Sequence, residues 1–163
     1  MPPEFILGID PGLRGALCLL HVPTKKIEVF DMPVTDGHVD AAKLAGIVEM
    51  CKMRGSVAAV IEQVSSMPRQ KGSFNFGISA GIVQGVLGAL GIPFTMVQPA
   101  QWKGSMGLCR GANESQADTK TRARELAMKL WPEHAGEFKR VKDDGRAEAC
   151  LIARFAANMK GWC

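Results

Sequence analysis

The sequence predicts an α/β layered domain. Its first 32 residues hold three short apolar runs separated by turn residues, which is typical of an antiparallel meander. Helix-like and strand-like segments then alternate along the rest of the chain, which favours a layered fold over a helical bundle or a β-sandwich. The first turn, at Pro11 and Gly12, lacks the full G-x-G-x-x-G pattern and no helix follows it directly, so a simple dinucleotide-binding unit fits poorly.

The predicted meander comes first. Phe5–Asp10 is an apolar run that ends in a carboxylate and then Pro11-Gly12, so we expect a buried strand stopped by a turn. Ala16–Val22 is a second apolar run, and Lys26–Met32 is a weaker third in which apolar residues alternate.

The middle of the chain changes to alternating helices and strands. Asp40–Met53 has apolar residues at helical spacing, with Asp40 able to cap the start. Ser56–Glu62 predicts another buried strand that ends in a carboxylate, and Ser65–Gly77 predicts a polar loop that contains glycine and proline.

The remaining segments predict three helices and one strand. Ile78–Leu90 alternates small and apolar residues, which indicates a helix packed closely against a neighbour, either the sheet or a second copy of the chain. Ile92–Val97 predicts a short strand, and Ala117–Trp131 an amphipathic helix carrying Lys and Arg. The last helix is expected to begin at Asp143 or Asp144 and to run to Met159.

Length and composition limit the class of protein. With 163 residues and 47% hydrophobic content, the chain is expected to form one domain, residues 1–163, with a sizeable core. No segment offers the roughly 20 apolar residues of a membrane span and the start lacks signal-peptide features, which predicts a soluble, cytoplasmic protein. Five widely spaced cysteines and three scattered histidines form neither a disulfide framework nor a zinc pattern.

The positive charge is concentrated in the second part of the chain. Residues 1–98 carry eight Lys plus Arg and eight Asp plus Glu, whereas residues 99–163 carry twelve and eight. This distribution is expected if one face of the protein meets a polyanion, and a solvated basic surface is the alternative.

Acidic residues lie where ligand sites form in α/β proteins. Asp10 and Glu62 each end a predicted buried strand, and Asp144 and Glu148 lie one turn apart on the last helix, with Asp143 beside them. Like charges brought together raise one another's pKa, so a bound cation is the natural compensation. Oxygen ligands suit magnesium, and two such ions can promote phosphodiester hydrolysis. Taken one at a time, these acids could instead be strand-end or helix caps.

Five short segments follow one another along the chain in a recognisable order, which are Gly8-Ile9-Asp10-Pro11-Gly12, Glu62-Gln63-Val64, Gln84-Gly85, Pro99-Ala100-Gln101-Trp102-Lys103 and Asp144-Gly145-Arg146-Ala147-Glu148-Ala149. In these segments the sequence resembles the RuvC-type Holliday junction resolvases of the RNase H-like superfamily, especially compact phage-type members. The resemblance implies a mixed five-stranded sheet, with three antiparallel strands and then parallel strands, flanked by helices. It further implies a homodimer in a bacterial or phage-infected cell that makes paired, metal-dependent nicks across four-way DNA junctions.

The resemblance also assigns roles to the acids. Asp10 would bridge two Mg²⁺ ions, for which Mn²⁺ could substitute, Glu62 would bind one of them, and Asp144 and Glu148 would supply the other ligands. The best-known members place the last two acids three residues apart, whereas Gly145 lies three residues before Glu148 here. Asp143 therefore remains an alternative to Asp144.

DNA contacts are the remaining implied roles. Lys103 matches a lysine that the family keeps near the scissile phosphate, and it is counted with the catalytic residues. The family's base-contacting aromatic is replaced by Ser65, so Phe74 and Phe76 either stack on a base or anchor the loop. The full set of predicted DNA-binding residues is Arg69, Lys71, Phe74, Phe76, Lys103, Lys120, Arg122 and Arg124.

Other functions fit less well or differ only in substrate. Sugar kinases and actin-like proteins pair two copies of this type of fold, which is more than 163 residues allow. An RNase H-like nuclease acting on flaps or RNA–DNA hybrids stays open, as does a non-catalytic nucleic-acid-binding module.

Overall fold

The computed structural model describes residues 1–63 and 73–159, which form a mixed sheet covered by helices on both faces. The strands are β1 (Phe5–Asp10), β2 (Ala16–His21), β3 (Ile27–Asp31), β4 (Val34–Thr35), β5 (His38–Val39), β6 (Val57–Glu62) and β7 (Phe94–Val97). The helices are α1 (Ala41–Lys52), α2 (Ser73–Ala89), α3 (Pro99–Ser105), α4 (Gln116–Leu130) and α5 (Asp144–Met159), with 3₁₀ turns at Pro132–Phe138 and Val141–Asp143.

The main sheet has the predicted mixed topology. Its strand order is β3-β2-β1-β6-β7, in which the first three strands are antiparallel and β1, β6 and β7 are parallel. Both parallel connections include a helix. The chain enters β6 through α1, which follows β5, and it passes from β6 to β7 through α2. The fold class is therefore confirmed.

Three local features differ from the sequence prediction. The segment Ser65–Gly77 was expected to be a loop, but α2 begins at Ser73, so residues 73–77 are helical, while residues 64–72 lie outside the described part. The strands β4 and β5 form a small separate hairpin. Helix α3 was not predicted, because seven residues starting at a proline leave too little helical periodicity to recognise.

The two faces of the sheet bury separate apolar cores. Residues that alternate along β1 and β2 face opposite sides, as the pleat requires. Ile6, Cys18 and Leu20 contribute to the core under α4 and α5, whereas Leu7 and Leu17 contribute to the core under α1 and α2. The first core positions the acidic end of α5, because α5 is the helix that covers β1 and β2.

Glycines fix how closely α5 approaches the sheet. A Cβ atom on Gly8 of β1 would lie 2.3 Å from the carbonyl oxygen of Ala149, and one on Gly145 would lie 2.3 Å from the carbonyl oxygen of Arg14. Both distances are far below van der Waals contact, so these two positions require glycine. Helix α5 thereby begins directly against the turn that follows β1 and Asp10.

The glycines of α2 do not pack against the sheet as the sequence suggested. Val83 and Leu87 are fully buried and belong to the core on this side of the sheet, so α2 itself packs on the sheet. Added Cβ atoms at Gly77, Gly81, Gly85 and Gly88 would meet nothing within 4 Å in the described structure. These four glycines share the exposed face of α2, away from the sheet.

No helix in residues 1–63 and 73–159 is long and apolar enough to cross a membrane.

Candidate active site

Two acidic residues meet at one edge of the sheet because their strands are parallel neighbours. The β1–β6 register pairs Ile9 with Ile61, and the next residues in each strand are Asp10 and Glu62. Glu62 is 9% exposed, and Asp10 is half-buried and accepts a hydrogen bond from the Gly12 backbone N–H at 3.2 Å. The carboxyl ends of parallel strands thus deliver both side chains to the same place.

Helix α5 brings further carboxylates to this edge. Glu148 is 9% exposed and interacts electrostatically with both Asp10 and Glu62. Asp144, one turn earlier, lines the same cleft as Asp10 and Glu148. The close seating of Gly145 against the Arg14 carbonyl is what brings this first turn of α5 next to Asp10.

The acidic cluster is electrostatically unfavourable. Burial, the charge of Glu148 and the charge of Glu62 raise the pKa of Asp10 from 3.8 to about 7, although the Gly12 hydrogen bond and Lys120 oppose the shift. Burial and Glu148 also raise the pKa of Glu62, against the effects of Trp102 and Lys103. Repulsion of this kind is what a bound cation would relieve.

Asp143 and Asp144 point to different surroundings. Asp143 is 2% exposed, accepts hydrogen bonds from the Arg140 backbone N–H and guanidinium, and lies 3.9 Å from Arg146. Burial acts to raise the pKa of Asp143, but the bonds from Arg140 outweigh it and the pKa is lowered. Asp143 therefore anchors the start of α5, and Asp144 is the member of the pair that faces the cleft.

Basic residues surround the acids. Lys103 Nζ lies 3.4 Å from Glu148 Oε1, and Lys120 Nζ lies 3.3 Å from Asp144 Oδ2. Arg124 Nε lies 3.1 Å from Asp144 Oδ1, yet both atoms are buried without a well-aligned hydrogen bond among the described residues. These cations partly neutralise the carboxylates. Asp144 Oδ1 is a buried acceptor without a hydrogen bond among the described residues, and a bound metal ion would give it a partner.

The acids open onto a cleft of about 1000 Å³. Asp10, Asp144 and Glu148 lie on its wall, and Glu62 is instead buried beside Trp102. The wall is largely apolar, and its large hydrophobic side chains are those of Leu13, Phe76 and Val141.

The donor set fits a hard divalent cation. The cluster offers only carboxylate oxygens, which magnesium prefers, together with a raised pKa and an unsatisfied carboxylate oxygen. In the described residues, the acids, histidines and cysteines do not form a ready-made group of three ligands. In this arrangement Glu148 is paired with Lys103, and Asp144 with Lys120 and Arg124.

The other predicted DNA-binding residues are separated by the structure. Lys120 and Arg124 line the cleft, and Arg124 is only 8% exposed. Arg122 instead binds Glu114 through two nitrogens and donates to the carbonyl oxygens of Gly107 and Cys109. The contacts of Arg122 favour a structural role that anchors the segment between α3 and α4.

The aromatic pair and the two remaining basic residues also differ in their positions. Phe76 lies on the cleft wall close to Gly12, whereas Phe74 is 78% exposed. Arg69 and Lys71, which were predicted to bind DNA, lie outside the described residues.

We expect Lys120→Ala and Arg122→Ala to have different effects on DNA binding. Loss of Lys120 should weaken binding to DNA of any sequence and lower the log–log salt slope by roughly 0.9, because its predicted contact is with a phosphate, which carries no sequence information. Loss of Arg122 should lower the melting temperature and leave the slope unchanged. Fluorescence anisotropy at several salt concentrations and thermal unfolding measure the two quantities. Equal changes in slope for both variants would contradict the assignment.

One contact of the site was missed at the sequence level. The Trp102 indole donates a hydrogen bond to Glu62 across 40 positions of sequence. The sequence shows Trp102 only as part of the segment that ends in Lys103. Its position next to a predicted site lysine is a sign that it lies near the site, but no local pattern indicates which acceptor its indole N–H reaches.

Comparisons with solved structures identify the fold as that of RuvC. The chain is similar to Thermus thermophilus RuvC, with a TM-score of 0.59 and 19% identity over 96% of both chains. It is also similar to T. thermophilus RuvC in complex with Holliday junction substrate, with a TM-score of 0.57 and 20% identity over 96% of both chains. No protein-family model and no curated protein sequence matches the chain. At these identities the likeness is one of fold.

Proposed function

We propose that this chain is a DNA endonuclease that resolves Holliday junctions and related branched DNA by metal-dependent phosphodiester hydrolysis. The observation that carries the proposal is the cluster of Asp10, Glu62 and Glu148, in which burial and mutual repulsion raise the pKa of Asp10 to about 7. Strongly shifted acids in a cleft are typical of functional sites. The RuvC fold of the chain supports the same function.

Four carboxylates are the proposed metal ligands. Asp10, Glu62, Asp144 and Glu148 would hold two Mg²⁺ ions, and Mn²⁺ would substitute for them. Bound metal supplies an activated water and neutralises charge on the leaving oxygen. Asp10 is the proposed shared ligand, because its carboxylate interacts with both Glu62 and Glu148.

The basic residues have the complementary task of holding the DNA backbone. Lys103 lies beside Glu148 and is 27% exposed, so its ammonium group can reach a phosphate bound next to the acids. Lys120 is 43% exposed on the cleft wall and is the proposed second phosphate contact. Both lysines are already close to carboxylates, so metal binding at those carboxylates would free them for the phosphates.

The apolar wall of the cleft supports a preference for branched DNA. Leu13, Phe76 and Val141 line the same cleft as the acids, and Val141 is 76% exposed. The base faces of duplex DNA are covered by stacking, whereas a branch point offers unstacked bases whose faces suit an apolar or aromatic wall.

We expect Phe76→Ala to reduce the preference for junction over duplex, since base–aromatic stacking contributes about 1–3 kcal/mol. Met53→Ala is the control, because Met53 is an 87% exposed hydrophobic residue just after α1, outside the cleft and outside the glycine face of α2, and should leave the preference unchanged. Binding curves on both DNAs measure the ratio. A ratio unaffected by loss of Phe76 would mean that this ring only anchors α2 against the turn at Gly12.

The exposed face of α2 is the proposed contact between two copies of the chain. Phe74 lies three residues before Gly77, so it continues the face formed by the glycines, none of which meets a neighbour in the described structure. Small residues on one helix face allow a second helix to approach closely. A dimer would bring two active sites to one junction, as paired nicks require. Light scattering in solution would measure the expected dimer mass.

A cleavage assay on several DNA structures tests the proposed function. A four-way junction, a flap, a linear duplex and an RNA–DNA hybrid of matched sequence would be incubated with the protein and Mg²⁺. We expect paired nicks near the branch point of the junction and much slower cleavage of the duplex. Preferred cleavage of the flap or the hybrid would point to another nuclease activity. No Mg²⁺-dependent cleavage of any substrate would leave only a non-catalytic module.

A further inference from the structure

Trp102 is fully buried, yet its indole carries a polar N–H group. That N–H donates a hydrogen bond of 2.8 Å to Oε1 of Glu62, which is itself 9% exposed. A bond between a buried donor and a carboxylate is stronger than one between neutral groups, and either partner would be costly to leave unpaired. The contact therefore restrains both side chains.

The chain path explains how the two residues meet. Strand β7 pairs with β6 up to Glu62 and Val97, and α3 starts two residues later at Pro99. The Gln98 backbone N–H donates to the Gln101 side chain at 3.0 Å, which fixes the first turn of α3. The indole of Trp102 is then directed into the core beside the end of β6.

The next residue in α3 contacts the other side of the acidic cluster. Lys103 Nζ lies 3.4 Å from Glu148 Oε1 and 5.0 Å from the centre of the Trp102 ring, within the range of a cation–π contact. Consecutive residues of one short helix thus hold Glu62 and Glu148. Helix α3 links the strand acid to the helix acid.

We propose that Trp102 is a positioning residue for metal binding, whose indole N–H holds Oε1 of Glu62 and so fixes the orientation of the carboxylate that would bind the cation. The inference rests on the proposed function, because it takes Glu62 to be a metal ligand. Groups that hydrogen-bond to a ligand orient it and reduce the freedom lost when the metal binds, and removing them commonly lowers metal affinity by 10- to 100-fold.

The chain contains a matched control for this contact. Trp131 is 3% exposed and belongs to the same apolar core, and its indole N–H donates to the backbone carbonyl oxygen of Lys25 at 2.9 Å. Trp131→Phe and Trp102→Phe remove the same atoms and the same type of donor. The two variants differ in the acceptor, which is a site carboxylate only for Trp102.

Calorimetric titration with Mn²⁺ alone, without DNA, provides the test. We expect Trp102→Phe to bind Mn²⁺ about 10-fold or more weakly than the wild type, and Trp131→Phe to bind within about 2-fold of it. Thermal unfolding of the metal-free variants checks that both are folded. Equal Mn²⁺ affinity in the two variants would overturn the positioning role. A wild-type protein that binds no Mn²⁺ would overturn the proposed function and this inference together.

Indole N–H signals in ¹⁵N NMR give a second readout that does not depend on the folding of Trp102→Phe. In the wild type, Mg²⁺ should move the Trp102 indole signal and leave that of Trp131 unchanged. Glu62→Gln should also move the Trp102 signal in the metal-free protein, because the acceptor becomes neutral. A Trp102 signal that responds to Glu62→Gln but not to Mg²⁺, in a protein that binds Mn²⁺, would show a structural bond and refute the inference.

Discussion

Asp10→Asn is expected to abolish DNA cleavage while leaving DNA binding largely intact. The carboxylate lies at the centre of the cluster, where burial, Glu148 and Glu62 act on it, and an amide is a much weaker metal ligand. The basic residues that are proposed to contact phosphates remain in place. Single-turnover cleavage and anisotropy measure the two properties, and a loss of at least about 10³-fold in rate is consistent with removal of a group that acts in the transition state.

Glu62→Gln should behave in the same way, and Asp36→Asn provides the control. Asp36 is an exposed carboxylate in the β4–β5 turn at a φ of 52°, a conformation that asparagine also adopts. Asp36→Asn should leave both cleavage and binding unchanged. If Asp10→Asn and Glu62→Gln both kept near wild-type cleavage, the proposed active site would be wrong.

The same Asp10 substitution should stabilise the metal-free protein above pH 7. The pKa of Asp10 is raised from 3.8 to about 7, so the folded state holds a proton that the unfolded state has lost between these values. The free energy of unfolding therefore falls as the pH rises from about 4 to about 7. One pKa unit corresponds to about 1.4 kcal/mol, so removing the charge stabilises the fold by up to roughly 4 kcal/mol.

Removal of divalent metal is expected to have an effect as large as loss of Asp10. Cleavage should cease in excess chelator and return with Mg²⁺ or Mn²⁺. Ca²⁺ should support DNA binding with little cleavage, because its longer and more flexible coordination suits the cluster poorly. Quantified cleavage of a junction under each condition is the measurement. Full activity in chelator would rule out the metal mechanism.

Thermal unfolding provides an independent test of metal binding. A ligand that binds only the folded state raises its stability by RT ln(1 + [L]/Kd). Mg²⁺ should therefore raise the melting temperature of the wild type and have little effect on Asp10→Asn. The stabilisation should weaken below pH 7, because protons then compete with the metal for Asp10.

The sequence predicted most of the regular elements, because each depends on local patterns. Phe5–Asp10 and Ser56–Glu62 were predicted as buried strands ending in acids, and the structure confirms these ends for β1 and β6. The predicted loop at Ser65–Gly77 was partly wrong, because Phe74 and Phe76 belong to α2. Polar residues and glycine give this stretch a low helix propensity, so the start of α2 carries little local helical signal.

Which acid faces the cleft was not decided by local sequence. Asp143 and Asp144 are adjacent and chemically identical, so either suits a pattern of acids at the start of α5. Arg140 and Arg146 hold Asp143, which leaves Asp144 beside Lys120 on the cleft. In the same way, sequence alone could not distinguish Arg122 from Lys120. In the structure, the Arg122 guanidinium donates hydrogen bonds to Glu114 and to two backbone carbonyl oxygens.

The sequence by itself determined the layered α/β class and the strand ends that carry Asp10 and Glu62, since the alternation of apolar residues and the positions of turn residues act over a few neighbours. The tertiary structure alone decided that Glu148 repels Asp10 and that Trp102 holds Glu62. These contacts join residues 40 or more positions apart. Their partners are fixed by the pairing of β1, β6 and β7 and by the seating of Gly145 against the Arg14 carbonyl, which no local pattern specifies.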